Sequence, residues 1–341
     1  MNKPLIGIAQ DGEKSVTENA VCQCAPFAAN ITAADDRSAE NGLTTGEGSG
    51  DGRYLATGYT VFPGISIVYY SAHTQRGSLK KEDAGTGDVF EIFHCREGRM
   101  ECSIGNDFCY IAPRDLLIAR TEHLSPALYF PLRHYHGITI RINVREAPKC
   151  LSCFLQDVAV QPKAIEEKFC GGKSYYIARS NSSVEHIFSE LYAVPEKIRQ
   201  GYFKIKILEL MLFLSAYEIR NEESGSRSVS PFQASLAKNA AKYLTENMYE
   251  KITLEQTANK FHASATAIKT SFRSVFGVSF YAYIKTQKME SAAYMLEYTD
   301  KTVTDIANEH GYDNSSKFAN AFRSVKGVSP VEYRAQNTKA Q

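Results

Sequence analysis

A motif of about fifty residues is stated twice between residues 252 and 334, and it restricts what this chain can fold into more than any other feature. Phe272-Arg273-Ser274-Val275, one further residue, then Gly277-Val278-Ser279 returns as Phe322-Arg323-Ser324-Val325, one residue, then Gly327-Val328-Ser329. Tyr283 is matched by Tyr333, and Ala258-Asn259 by Ala307-Asn308. Two copies are too few to stack into a solenoid core. Chance likeness of two amphipathic helices would not match Gly, Ser and Tyr outside those helices as well. The pattern predicts a duplicated helix-turn-helix.

Each copy can be built from its residues. In the first, Leu254, Ala258 and Phe261 fall at helical spacing, Phe261-His262-Ala263 carries a turn, and Ser264 can cap the next helix. Ile268, Phe272 and Val275 then form a stripe for burial, and Gly277 supplies a left-handed stop. In the second, Val303, Ile306 and Ala307 mark a short helix, 310–313 turns, Asn314 or Ser315 caps, Phe318, Phe322 and Val325 form the stripe, and Gly327 ends it. A short helix, a tight turn and a longer capped helix make the geometry that presents a recognition helix to a major groove.

Charge follows the same division. Between Gln256 and Met289 stand Lys260, Lys269, Arg273, Lys285 and Lys288 with no Asp or Glu; between Asn314 and Val331 stand Lys317, Arg323 and Lys326, again with no acid. Each expected recognition helix with its flank is thus a positive island suited to phosphate.

These residues resemble the AraC/XylS family of transcription regulators, over about a hundred residues ending near Arg334. The carriers are Ile306-Ala307, Gly311-Tyr312, Phe318, Phe322, Gly327, Ser329-Pro330 and Tyr333-Arg334. The resemblance implies that a central helix, about 279–298, joins two motifs whose recognition helices enter successive major-groove segments. It puts the base-facing positions on Thr266, Lys269 and Thr270 in the first helix and on Ser315, Ser316 and Asn320 in the second. Lys and Asn suit guanine and adenine edges, and Ser and Thr are less selective. Arg273, Lys317 and Arg323 are expected at phosphates. The implied partners are double-stranded promoter DNA, RNA polymerase, a small-molecule effector and a second copy of the chain.

Composition matters mainly for what it excludes. Of 341 residues, 43% are hydrophobic and 23% charged, ordinary for a folded protein of two or three domains. The net charge of +1 conceals an asymmetry: residues 231–341 hold 14 basic and 10 acidic groups, against 25 and 28 before them. The basic end is therefore the nucleic-acid end. No secretory signal is recognisable, and the most apolar run, 207–219, contains Glu209 and Glu218 and is too short to span a bilayer. A cytoplasmic protein without a membrane segment is expected, and its eight cysteines should be largely reduced. Cys150-x-x-Cys153 and Cys22-x-Cys24 lack the second pair that a structural zinc site requires. No cofactor is expected.

The earlier part of the chain reads as follows. Residues 1–54 read as a flexible tail, and its glycine-rich 46–52 lacks the Lys-Ser or Lys-Thr of a phosphate loop. Residues 55–150 carry strand-like runs at 65–70, 89–95, 99–104, 107–111, 115–119 and 137–142, with a hairpin signal at Gly105-Asn106. They predict a small β-barrel, which the family resemblance suggests is a cupin-like sensing domain. His134 and His136 alternate along a strand and share a face, as two metal ligands would. Enzymatic cupins, however, follow such a pair closely with a Glu, and the nearest following acid here is Glu146. Hydrogen-bonded pocket or surface histidines are therefore favoured, and no metal is assigned. Arg133, His134, His136 and Arg141 are the candidates to line an effector pocket.

Residues 151–221 read as a helical segment packing on the β domain. Ser182 or Ser183 should cap one helix, and 202–217 is apolar on nearly all sides, from burial within the monomer or at a dimer interface. Residues 222–230 form a polar linker, and Ser230-Pro231 opens the domain 231–341, with its motifs at 254–276 and 303–326. The chain is thus expected to be α+β: an N-terminal cupin-like barrel with packing helices, joined to an all-α pair of helix-turn-helix motifs. The expected function is a non-enzymatic, effector-responsive, sequence-specific DNA-binding transcription regulator. The alternative is a cupin metalloenzyme or an alkylation-repair protein fused to a DNA reader.

Overall fold

A computed structural model describes residues 53–79, 88–105, 107–149, 151, 160–172, 174–219 and 228–337. Eleven strands and ten α-helices lie among them. The strands are β1 (Arg53–Phe62), β2 (Ile65–His73), β3 (Arg76–Ser78), β4 (Val89–Gly98), β5 (Met100–Ile104), β6 (Asp107–Ile111), β7 (Asp115–Arg120), β8 (Ala127–Tyr129), β9 (Tyr135–Asn143), β10 (Tyr175–Arg179) and β11 (Ser228–Val229). The helices are α1 (Pro162–Cys170), α2 (Ser182–Leu191), α3 (Arg199–Ala216), α4 (Pro231–Glu246), α5 (Leu254–Lys260), α6 (Ala265–Phe276), α7 (Phe280–Tyr298), α8 (Val303–Glu309), α9 (Ser315–Lys326) and α10 (Pro330–Asn337). The chain divides into two compact units, one holding described residues 53–240 and 258–279, the other 241–257 and 280–337.

In the first unit the strands form two sheets instead of the expected closed barrel. One has the order β1-β2-β9-β4-β7-β10 and the other β11-β6-β5-β8-β3, with every pairing between them antiparallel. The reason lies in the side-chain period. Along β4, Phe93 and Cys95 enter the core between the sheets, whereas Phe90 and Ile92 enter a core on the opposite face. Both faces of the six-stranded sheet are therefore apolar, and the second needs a cover. Helices α1, α2 and α3 supply it through Ile165, Phe169, Ile187, Phe188, Phe203, Ile207 and Leu210.

Several details depart from the sequence-based expectation. Residues 175–179 lie within the segment expected to be wholly helical, yet they pair with β7 and complete the large sheet. Helix α2 is capped by Asn181, whose side chain accepts from the Val184 amide, in place of Ser182 or Ser183. Ser228 and Val229, expected in the linker, pair with Cys109 and Phe108. Helix α3 buries Phe203, Ile207, Leu210, Met211 and Leu214 but leaves Ile205 61% exposed, with Leu212 and Phe213 also facing outward. Cys22, Cys24, Cys150 and Cys153, the tail up to residue 52 and linker residues 220–227 lie outside the described residues.

In the second unit, Met289, Ala292, Ala293 and Leu296 of α7 pack with Ile306 and Ala307 of α8, Phe318, Phe322 and Val325 of α9, and Tyr333 of α10. Capping boxes frame the helix starts. Thr253 accepts from the Gln256 amide while Gln256 accepts from that of Thr253, and Ser329 and Glu332 repeat the arrangement.

Glu91 gives the sandwich a testable pH response. It is buried on the inner face of β4, with Arg141 Nε 3.8 Å away on β9. Burial pushes its pKa from 4.5 up to about 7, and Arg141 offsets only part of that rise. As pH increases from 4.5 towards 7 the unfolded chain gives up this proton before the folded one does. The favourable contribution of the protonated form is thus present below 4.5 and lost by about pH 7, a change of up to about 3 kcal/mol. Urea unfolding at pH 5 and 7.5 should show a smaller fall in stability for Glu91→Gln than for the parent; equal falls would contradict this assignment.

Candidate nucleic-acid interface

The two turns of the repeat are built alike, with the same backbone hydrogen bonds made to the matched Ala-Asn pair. In the first copy the Ala263 amide donates to Ala258 O at 2.9 Å and that of His262 to Asn259 O at 3.2 Å. In the second, the Tyr312 amide donates to Ala307 O and that of Gly311 to Asn308 O, both at 2.9 Å. His262 and Gly311 occupy the same turn position and both are left-handed, with φ of 50° and 79°. The first copy accepts the strain of a side chain there, and the second avoids it.

The longer helices that follow share boundaries as well. Ser264 caps α6 by accepting from the Ala267 amide, and Asn314 caps α9 by accepting from Ser316 and Lys317. Left-handed Gly277 and Gly327 end them at φ 75° and 79°, their amides donating to Arg273 O and Arg323 O. Ile268, Phe272 and Val275 are buried on α6, as are Phe318, Phe322 and Val325 on α9. Burying one stripe turns the other outward: Thr266, Lys269, Thr270 and Arg273 are exposed on α6, and Ser315, Ser316, Lys317, Asn320 and Arg323 on α9. Among the described residues, Lys269, Arg273 and Lys317 carry no ion pair, so their charge is available to a ligand.

Not every lysine of the basic islands is available. Lys288 is buried, and its ammonium donates to His310 O at 2.9 Å and Glu250 O at 3.3 Å, tying the C-cap of α8 to the connection after α4. Desolvation lowers its pKa. Lys326 is also buried and pairs with Glu290, and Lys285 donates to Ser324. Counting charges by segment overstates the outward positive potential, because a long aliphatic stem lets a lysine cross apolar surface to reach an internal acceptor.

The four residues expected to line an effector pocket do not gather. Arg133 is exposed, with φ of 56°. Arg141 lies on the inner face of the large sheet with Glu91, whereas His136, five positions earlier on β9, faces the other side. His134 and His136 instead meet His73, a residue that sequence spacing did not bring into consideration. Glu97 stands beside them, its Oε2 3.4 Å from His134 Nε2. Burial first, then the neighbouring His134 and His73, lowers the His136 pKa to about 3. The hydrogen bond from His134 is the main cause that lowers the pKa of Glu97.

Residues 257–336 match the family described as the helix-turn-helix domain. The uncharacterized HTH-type transcriptional regulator YdiP of Escherichia coli K12 is 37% identical over 101 residues, 30% of this chain and 33% of that one. The uncharacterized HTH-type transcriptional regulator YtdP of Bacillus subtilis is 31% identical over 86 residues, 25% of this chain and 11% of that one. The chain thus spans a third or less of the length of these curated relatives. Among solved structures, the C-terminal domain of AraT, a response regulator from Geobacillus stearothermophilus, aligns at 29% identity and a TM-score of 0.31, covering 34% of this chain and 93% of that one. Unsaturated fatty acid-bound ToxT from Vibrio cholerae aligns at 13% identity and a TM-score of 0.31, covering 81% and 97%. The carboxy-terminal region is therefore a helix-turn-helix domain. The curated relatives that share it are HTH-type transcriptional regulators.

The turn geometry predicts unequal responses to glycine chemistry. Gly311→Ala places a Cβ on a residue at φ 79° and should cost about 1–2 kcal/mol. His262→Gly should be neutral to stabilising. Thermal denaturation of the two variants tests this, and a harmless Gly311→Ala would contradict it.

Proposed function

We propose that this chain is a transcription regulator that binds promoter DNA through both recognition helices and senses a small-molecule effector with its β domain. The carrying observation is the pair of solvent-facing stripes, Thr266-Lys269-Thr270-Arg273 on α6 and Ser316-Asn320-Arg323 on α9, each behind an equivalent turn. Thr266, Lys269, Thr270, Ser315, Ser316 and Asn320 read bases, while Arg273, Lys317 and Arg323 hold phosphates. The reading requires no catalytic step. It places the protein in the cytoplasm with RNA polymerase as a further partner, and no described helix is long and apolar enough to cross a membrane.

The effector role is supported by the polar groups enclosed in the sandwich, among them Glu91 and Thr139, and by a contact to the first reader. Arg99, between β4 and β5, donates from Nη2 to Ser274 O near the end of α6 at 2.6 Å. Lys238 of α4 bonds Glu101 of β5 at 2.6 Å. Small changes in the smaller sheet therefore bear directly on how α6 is held.

Base reading and phosphate holding can be separated by titrating specific and random duplexes. Lys269→Ala should weaken specific binding by about 1–3 kcal/mol and relax preference at one base, whereas Arg273→Ala should weaken both duplexes alike. Equal losses on both duplexes for Lys269→Ala would contradict the assignment.

Homodimerisation is the part of this reading supported by α3. Its outer face presents Ile205, Leu212 and Phe213, 61%, 37% and 38% exposed, and a second copy laid against it would bury the same residues from both sides. Sedimentation of the full chain should show a dimer that Ile205→Asp converts to monomer. A parent chain monomeric at tens of micromolar would remove this part.

A further inference from the structure

Three strands bring four donor side chains to one end of the larger sheet. His73 ends β2, His136 lies near the start of β9, and His134 stands two residues before it on the same side. Register fixes their meeting: His136 lies opposite Ser71 of β2 and Glu97 of β4. The ring centroids are 5.2 Å apart for His73–His134, 5.2 Å for His73–His136 and 4.7 Å for His134–His136. One ring nitrogen from each lies within 4.8 Å of the other two. Glu97 adds a carboxylate held from two sides, Oε2 at 3.4 Å from His134 Nε2 and Oε1 at 3.6 Å from Arg96 Nε.

We infer that His73, His134 and His136 form a binding site for a divalent transition metal ion of the zinc class, with Glu97, now beside His134, turning in as fourth ligand. Three imidazoles and one carboxylate suit zinc, cobalt, nickel or copper and not calcium or magnesium, which take oxygen shells. Four-coordinate zinc holds nitrogens at about 2.0–2.1 Å, which puts them roughly 3.3 Å from one another. The rings therefore draw in by about 1 Å, within the reach of χ rotation at His73, which is exposed, and at His134, which is partly exposed. The same exposure provides the entry path. Arg96 lies against the site and adds positive charge, but its guanidinium is engaged by Glu97 and sits 4.8 Å over the Tyr192 ring. It orients the carboxylate as an outer-shell partner would. A bound ion would tie the end of β2 to β4 and β9.

The inference is independent of the DNA-binding reading, and its test does not use DNA. Tag-free full chain, stripped with chelator, would be titrated with cobalt(II) while visible absorption is recorded, and with zinc(II) against a chromophoric competitor. One equivalent of cobalt should give the intense visible bands of a four-coordinate site, and one equivalent of zinc should displace it. His73→Ala, at an exposed position, should weaken binding about 10- to 100-fold, and Glu97→Gln should weaken it while altering the cobalt bands. His186→Ala, on α2, should change nothing. Far-ultraviolet circular dichroism confirms that each variant is folded. No stoichiometric binding by the parent, or binding that persists unchanged in His73→Ala and in His134→Asn, would overturn the site.

Discussion

The outward stripes depend on the burial of one pair of large apolar side chains in each of α6 and α9. Phe318 and Phe322 on α9, and Ile268 and Phe272 on α6, are 0% exposed. Each pair is spaced four residues apart, so together they fix the rotation of the helix about its axis. With 100° per residue, positions two before and two after the first buried residue fall on the opposite side. Those positions are Thr266 and Thr270 on α6, and Ser316 and Asn320 on α9. What faces outward is thus decided by what is held inside. A change such as Phe322→Ala, costing about 3–5 kcal/mol, would release the outward stripe as well as destabilise the domain.

The two helices do not present equal outward stripes. Shifted by fifty positions, Lys269 corresponds to Ala319. The first helix therefore carries a long charged side chain where the second carries a methyl group. Asn320 answers Thr270, so the second helix concentrates its hydrogen-bonding capacity on one amide. Selectivity for guanine edges would come mainly from α6, and any selectivity for adenine from α9.

Much of this was legible in the sequence because it is local. Stripe spacing, the caps Ser264 and Asn314, and the stop glycines act within a few residues of one another, and the expected helices lie where those signals put them. The six expected strands also form. What escaped is non-local. Strand β10 has only five residues and acquires its identity from pairing with β7. His73 stands sixty-one positions before His134 in the chain, and only the β2–β9 register joins them. Lys288 and Lys326 counted as surface charge until their partners, two backbone carbonyls and Glu290, were visible. The open pair of sheets escaped for the same reason, since alternation along a strand specifies two faces and not what closes over each.

The junction at Arg99 relates these levels by magnitude. The last carbonyls of a helix lack intrahelical donors, and Arg99 supplies one to Ser274 O where the helix dipole also favours a cation. Gly277 serves two ends there, since a Cβ would stand 2.9 Å from Arg99 Nη1 and would also strain the left-handed stop. A hydrogen bond from a charged donor contributes about 1.5–3 kcal/mol. Coupling free energies between ligand sites typically run about 1–3 kcal/mol. Loss or gain of this one contact is thus commensurate with a regulatory response, and it leaves the buried stripe of α6 untouched. Under the proposed function, an effector would need only to favour one position of the β4–β5 corner over another by that amount; it would not need to unfold, displace or remodel α6.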